Sequence, residues 1–149
     1  MESRNPLAEF FEGIVSWLGL SEGAAAVLSE MYLEKYSSNE FLGTEEIAER
    51  TGYSRTNVNL IVTQLEKLGI IRSERDLSKT GRGRKRMIYT VVKDIESLVH
   101  IGKEYAKEQL QFLSGIIDSI LAEEVENTIS DALTKTKKEI KKIVNRLEN

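Results

Sequence analysis

The sequence predicts a mostly α fold that carries one small antiparallel β-hairpin, and three observations predict it. Apolar residues recur at helical spacing on both sides of a central segment. Within that segment, Thr44 to Val92, two short helical patterns meet at a glycine turn and lead into two strand-like runs. The hairpin that those runs form is crowded with positive charge: Arg72, Arg75, Lys79, Arg82, Arg84, Lys85 and Arg86 stand against only Glu74 and Asp76. Helix, tight turn, helix and basic hairpin, in that order, describe a winged helix-turn-helix, here (α+β, mostly α) with an N-terminal helical part and long C-terminal helices.

Each element has a local reason. Leu7, Phe10, Phe11, Ile14, Val15, Trp17 and Leu18 form the apolar stripe of a first helix, which Gly19-Leu20 breaks. Ser21 is placed to cap a second helix through Ala24, Val27, Leu28, Met31 and Tyr32, with Glu22 in its favourable first turn. Ser37 to Asn39 reads as a polar loop. Thr44 is expected to cap a short third helix around Ile47 and Ala48, which ends where Gly52 supplies a left-handed residue. Ser54 is expected to cap the fourth, whose buried stripe is Val58, Ile61, Val62, Leu65 and Leu68, with Gly69 closing it. Ile70 to Arg75 and Met87 to Val92 read as the hairpin strands, with Gly81 and Gly83 at the tip.

From Asp94 the pattern is helical again and long. Leu98, Tyr105, Phe112, Leu113, Ile116, Ile117, Ile120 and Leu121 share a face. After a polar stretch around Glu123 to Asn127, the spacing Ile129, Leu133, Thr136, Ile140, Ile143, Leu147 approaches a heptad repeat. So small a module lacks the partners to cover these faces, so association with a second copy of the chain is expected. Phe10, Ile14, Leu113, Ile117, Ile120, Ile140, Ile143 and Leu147 are the expected dimer contacts. The division expected is residues 1–36 as supporting N-terminal helices, 37–93 as the winged part and 94–149 as the dimerisation region.

Composition narrows the function. The 149 residues sum to −3, whereas residues 55–86 hold nine basic and three acidic side chains, a local +6 that leaves −9 for the remainder. An acidic protein with one compact basic segment sets that segment against a polyanion. At 40% hydrophobic and 30% charged the chain is of globular composition. No apolar run approaches the roughly 20 residues that span a bilayer, and Met1 to Asn5 lacks the features of a secretion signal. There is no cysteine, which excludes disulfides and thiolate chemistry. A cytoplasmic location, no membrane partner and no cofactor are expected.

The functional residues follow from what a helix needs to read duplex DNA: a back face held on the core and a polar front. In 54–68 the apolar stripe holds the helix, while Ser54, Arg55, Thr56, Asn57, Asn59 and Thr63 point elsewhere. Arg, Asn and Thr bond with base edges or phosphates in the major groove. The free amides at the helix start favour a phosphate near Ser54 and Arg55, and Tyr53 is placed to add a hydroxyl contact. Arg75, Lys79, Arg82, Arg84, Lys85 and Arg86 on the hairpin suit the minor groove or the phosphates. Basic residues on a hairpin also keep a solvated edge from pairing, but seven exceed what edge protection needs.

Other chemistries are poorly served. His100 is the only histidine, and without cysteine a zinc site would rest on carboxylates. Gly81-Arg82-Gly83 is followed by a strand and not by a phosphate-loop lysine pattern. Glu45 with Glu46, and Glu123 with Glu124, are sequence neighbours that point different ways on a helix. Trp17, Phe10 and Phe11 are candidates for an effector cavity or for core packing, and packing is the expectation; no small-molecule effector is identified. The chain is therefore expected not to be an enzyme.

The run LGTEEIAERTGYSRTNVNLIVTQLEKLGIIRSERDLSKTGRGRKRMIYTV resembles the winged-helix domain of MarR-type regulators. The preceding LGLSEGAAAVLSEMYL and the helical tail are similar to the GbsR-like branch. The resemblance covers roughly residues 7–100, with S-R-T-N-V followed by L-E-K-L-G-I-I as its most specific part. It implies a dimeric regulator of transcription whose fourth helices enter successive major grooves of a near-palindromic site, repression by occlusion being the simplest mode. It places Arg55, Thr56, Asn57 and Asn59 at the groove and Arg82, Arg84 and Lys85 at the wing tip. Leu60 departs from the pattern, since such helices usually carry a polar or basic side chain there; it meets a thymine methyl or the helix enters less deeply. The rival reading is a winged-helix interaction subunit of a larger transcription or repair assembly, touching DNA without choosing a sequence.

Overall fold

Helix α1 (Pro6–Trp17) opens on proline, whose preset φ and missing N–H suit the first position of a helix. The computed structural model describes residues 6–78 and 86–149, and these form two compact units that divide between Val99 and His100.

In the first unit, α1 buries Phe11, Ile14 and Val15 and ends at a glycine with φ 71°, Gly19. Helix α2 (Glu22–Ser37) is the central helix: Ala24, Ala25, Val27, Leu28, Ser29, Met31 and Tyr32 are all buried. It touches α1, α3, α4 and β3, so it is apolar over most of its circumference, not along one stripe. Ser21 stands at its N-cap with extended backbone but makes no side-chain cap bond. The Phe11 and Tyr32 rings stack at 5.2 Å, and the buried Tyr32 hydroxyl donates to the Lys93 carbonyl at 2.7 Å. That bond ties α2 to the segment that leaves the sheet. Of the three aromatic residues expected in the core, Phe11 is fully buried, whereas Phe10 and Trp17 keep substantial exposure.

The winged part follows as β1 (Leu42–Gly43), α3 (Thr44–Thr51), α4 (Arg55–Lys67), β2 (Ile71–Arg75) and β3 (Met87–Val91). The sheet is antiparallel in the order β1-β3-β2, with Ile71 opposite Val91, Arg75 opposite Met87 and Leu42 opposite Tyr89. The hairpin strands lie where the alternation put them. The third strand was not foreseen, because two residues carry no periodicity. A second correction concerns the start of α3. Gly43, not Thr44, is the N-cap, and Thr44 is the first helical residue. The Glu46 carboxylate reaches back to the Gly43 amide and satisfies it, which frees the Thr44 hydroxyl to bond with Asn59. Gly52 ends α3 in the left-handed conformation, φ 79°, as expected of a glycine there.

The second unit contains most of α5 (Ile95–Leu121) and α6 (Asn127–Glu148), broken where the polar stretch predicted a break. Lys137 pairs with Asp118, and Lys107 with Glu148 at 3.1 Å. Moving up α5 by the spacing from 107 to 118 thus moves down α6 from 148 to 137, the signature of an antiparallel helical hairpin. Ile117 and Ile140 are buried within it, while Phe112, Leu113, Ile116, Ile129 and Ile143 are exposed. No helix among the described residues is long and apolar enough to cross a membrane.

Candidate nucleic-acid interface

Helix α4 is held by its back. Val58, Ile61, Val62 and Leu65 are each at most 2% exposed, and Leu68 is half-buried at its end. Ser54 caps the start, its hydroxyl oxygen accepting from the Asn57 amide at 3.1 Å. The outward residues Ser54, Arg55, Thr56, Asn57, Asn59 and Thr63 are all exposed. Tyr53 is half-buried, its ring so close to α2 that a Cβ on Gly23 would stand 3.4 Å from Cε2.

Besides Ser54, three of these side chains already have partners. The Arg55 guanidinium meets Glu45 of α3 at 2.7 Å, in a pair that is exposed on both sides. The Thr44 hydroxyl donates to Asn59 Oδ1 at 3.1 Å. The Thr63 hydroxyl donates back to the Asn59 carbonyl at 2.7 Å, a bond within the helix that leaves its methyl as the outward group. The surface pair is weak enough for a phosphate to displace Glu45.

On the hairpin, Arg75 is exposed at the end of β2. Arg72 pairs with Glu74 at 3.1 Å and lies over the Phe41 ring at 5.0 Å. Lys79, Arg82, Arg84 and Lys85, nominated for the wing tip, lie outside the described residues. Arg86 is held against the body of the protein by two carboxylates, with Nη1 2.7 Å from Glu46 Oε1 and Nε 2.8 Å from Asp76 Oδ2. Its carbonyl accepts from the Asp76 amide at 2.9 Å, which closes the hairpin one residue beyond the last strand pair. Asp76 also accepts from the Ser78 hydroxyl and, at 3.0 Å, from the Ser78 amide. The Ser78 hydroxyl first, then Arg86, hold the Asp76 carboxyl down to about 2. Burial works to raise the Glu46 pKa, but hydrogen bonds from Arg86 and the Gly43 amide outweigh it and leave the carboxyl below its ordinary value. A side chain at position 43 would obstruct this pair, since its Cβ would stand 2.5 Å from Glu46 Oε2 and 2.8 Å from Arg86 Nη1.

These contacts form a chain from hairpin to helix: Arg86 holds Glu46, Glu46 holds the Gly43 amide, and the adjacent Thr44 holds Asn59 on α4. Ser73 of β2 adds a bond to Glu66 of α4 at 2.8 Å. From the sequence, Glu46 was only a surface neighbour of Glu45 and Asp76 only a counter-charge on the hairpin; their hold on Arg86 was missed. Glu46 stands three residues after Gly43, the cap the structure reveals in place of Thr44, and extending the hairpin register by one residue sets Asp76 opposite Arg86. His100 is exposed, and among the described residues no group of three or more histidines and carboxylates is placed to hold a metal.

No family model and no curated protein sequence matches the chain. Solved structures do. A transcriptional regulator known from its crystal structure is similar over 95% of this chain and 90% of its own, at 14% identity and a TM-score of 0.65. A structure described as a possible transcriptional regulator from Methanosarcina mazei Go1 is similar over 74% of this chain and 86% of its own, at 14% identity and a TM-score of 0.55. The fold is that of winged-helix transcriptional regulators. A mutant of S. aureus MepR, solved bound to an oligodeoxyribonucleotide, aligns over 92% of this chain and 89% of its own with 14% identity and a TM-score of 0.48. In the winged helix seen here, α3 and α4 are the helix-turn-helix and β2 and β3 the wing strands.

Of the residues nominated for a dimer, Ile14, Ile117 and Ile140 are each 7% exposed, already packed within their own chain. Ile120 and Leu147 are half-buried, and Phe10, Leu113 and Ile143 are 40–49% exposed.

Proposed function

We propose that this chain is a MarR-like transcriptional regulator that binds duplex DNA sequence-specifically as a homodimer and represses by occluding promoter DNA. Helix α4 occupies the major groove, and the basic wing lies on the minor groove or the flanking phosphates. The observation that carries this reading is the front of α4: a capped helix start and exposed Arg, Thr and Asn side chains, bonded through α3 to the root of the basic hairpin. A helix start with free amides attracts a phosphate, and Arg55 beside it adds charge. The exposed Phe112, Leu113, Ile116, Ile129 and Ile143 of the second unit support association with a second copy, as does exposed Phe10. The reading is of a cytoplasmic binding protein without cofactor.

Anisotropy titration of the full chain against duplex DNA over a range of salt tests it. Neutralising six to eight phosphates per dimer gives a slope of log K against log salt of roughly −5 to −7. Changing Arg82 and Arg84 to alanine together lowers affinity for all sequences and flattens that slope, while Asn57→Ala erodes preference among sequences. A palindromic fragment that competes no better than random DNA refutes sequence choice and favours an interaction subunit. Sedimentation tests the dimer.

A further inference from the structure

One large side chain on the outer face of α4 is apolar. At about 100° of rotation per residue, Leu60 stands nearly opposite the buried stripe of Val58, Ile61, Val62 and Leu65, and it is 62% exposed. Thr56, one turn earlier, and Thr63, nearly one turn later, share that outer line, and the Thr63 hydroxyl is engaged with the Asn59 carbonyl. The crest of the helix therefore carries Leu60 between two threonines, with Lys67 at its C-terminal end, flanked by Asn57 and Gln64 on one side and Asn59 on the other. Among the described residues of the first unit, the core stripe of α4 lies on the other side of the helix from Leu60.

Base edges in the major groove are donors and acceptors, with one apolar group among them: the 5-methyl of thymine. A leucine set against cytosine or guanine would strip water from polar groups and return no hydrogen bond. Set against thymine, it buries methyl against methyl. We infer that Leu60, with Thr56 and Thr63 beside it, is a sequence-determining contact of α4 and selects thymine through its 5-methyl group. This inference rests on the DNA-binding reading above and names what that reading's helix prefers.

The test removes only the methyl. A random duplex pool is enriched on the full-length chain and then amplified in parallel with dTTP and with dUTP, so that the two probes share every hydrogen-bonding group. Burying one methyl is worth about a fourfold difference in affinity, so the wild-type chain binds the thymine pool at least about fourfold tighter. Leu60→Ala brings the two affinities together mainly by weakening the thymine complex, and Leu60→Asn does the same. The position is exposed, so both variants keep the wild-type melting temperature. Equal wild-type affinity for both pools overturns the thymine contact while leaving DNA binding intact. A ratio unchanged in Leu60→Ala removes Leu60 from the contact. A Leu60→Ala chain with altered sedimentation assigns the crest to protein association and overturns the inference. Absence of salt-dependent binding to either pool overturns this inference and the DNA-binding reading together.

Discussion

Ser54 separates the cap of α4, which its hydroxyl makes, from the approach of a phosphate to the helix start, which the proposed function requires. Its hydroxyl oxygen accepts from the Asn57 amide at 3.1 Å, and its side chain is exposed. Ser54→Ala deletes the cap and costs about 1 kcal/mol, which lowers the melting temperature by about 2–4 °C for a chain of this size. Ser54→Asp keeps an acceptor at the same place and adds a negative charge that the helix dipole favours by about 0.3–1 kcal/mol. The aspartate chain therefore melts at or above the wild-type temperature. On DNA the order reverses. A carboxylate roughly 5 Å from a phosphate is repelled by about 1–3 kcal/mol, or about 5- to 150-fold in affinity. Ser54→Ala loses affinity only through fraying at Arg55 to Asn57. Thermal melting by circular dichroism and anisotropy at low salt measure the two effects on the same samples. An aspartate variant that binds duplex DNA as tightly as wild type refutes the placement of this helix start against phosphate. An alanine variant with an unshifted melting temperature refutes the energetic role of the cap.

Three further outcomes are expected. Because the Asp76 carboxyl titrates near 2 in the folded chain, its contribution is fully present above about pH 4, the unfolded value, and is lost as pH falls towards 2. The melting temperature of Asp76→Asn should therefore lie below wild type at neutral pH and converge on it below pH 4, as followed by melting across that range. Glu45→Gln releases Arg55 from its exposed 2.7 Å pair, leaving stability within about 0.5 kcal/mol while raising affinity for random duplex DNA at low salt, measured by anisotropy. Tyr32→Phe removes the 2.7 Å bond to the Lys93 carbonyl and costs about 1 kcal/mol in denaturant melts without altering DNA affinity.

Local chemistry was enough to read most elements of this chain. Ser54, Gly52 and the stripe of Val58, Ile61, Val62 and Leu65 mark α4 and its turn, because caps, left-handed glycines and helical periodicity act over a few residues. The exposed front of α4 follows from that same stripe. Other features depend on which distant residues the fold brings together. Strand β1 exists only because β3 passes beside Leu42 and Gly43. Arg86 looks like one more wing cation in sequence, yet two carboxylates, one of them forty residues away at Glu46, hold it against the body of the protein. Ile14, Ile117 and Ile140 look identical to their exposed neighbours on the wheel, but packing within the chain covers them and leaves Leu113 and Ile143 open. Periodicity specifies which face is apolar. Only the packed chain decides how much of that face is still bare, because burial is a property of neighbours that sequence distance does not encode.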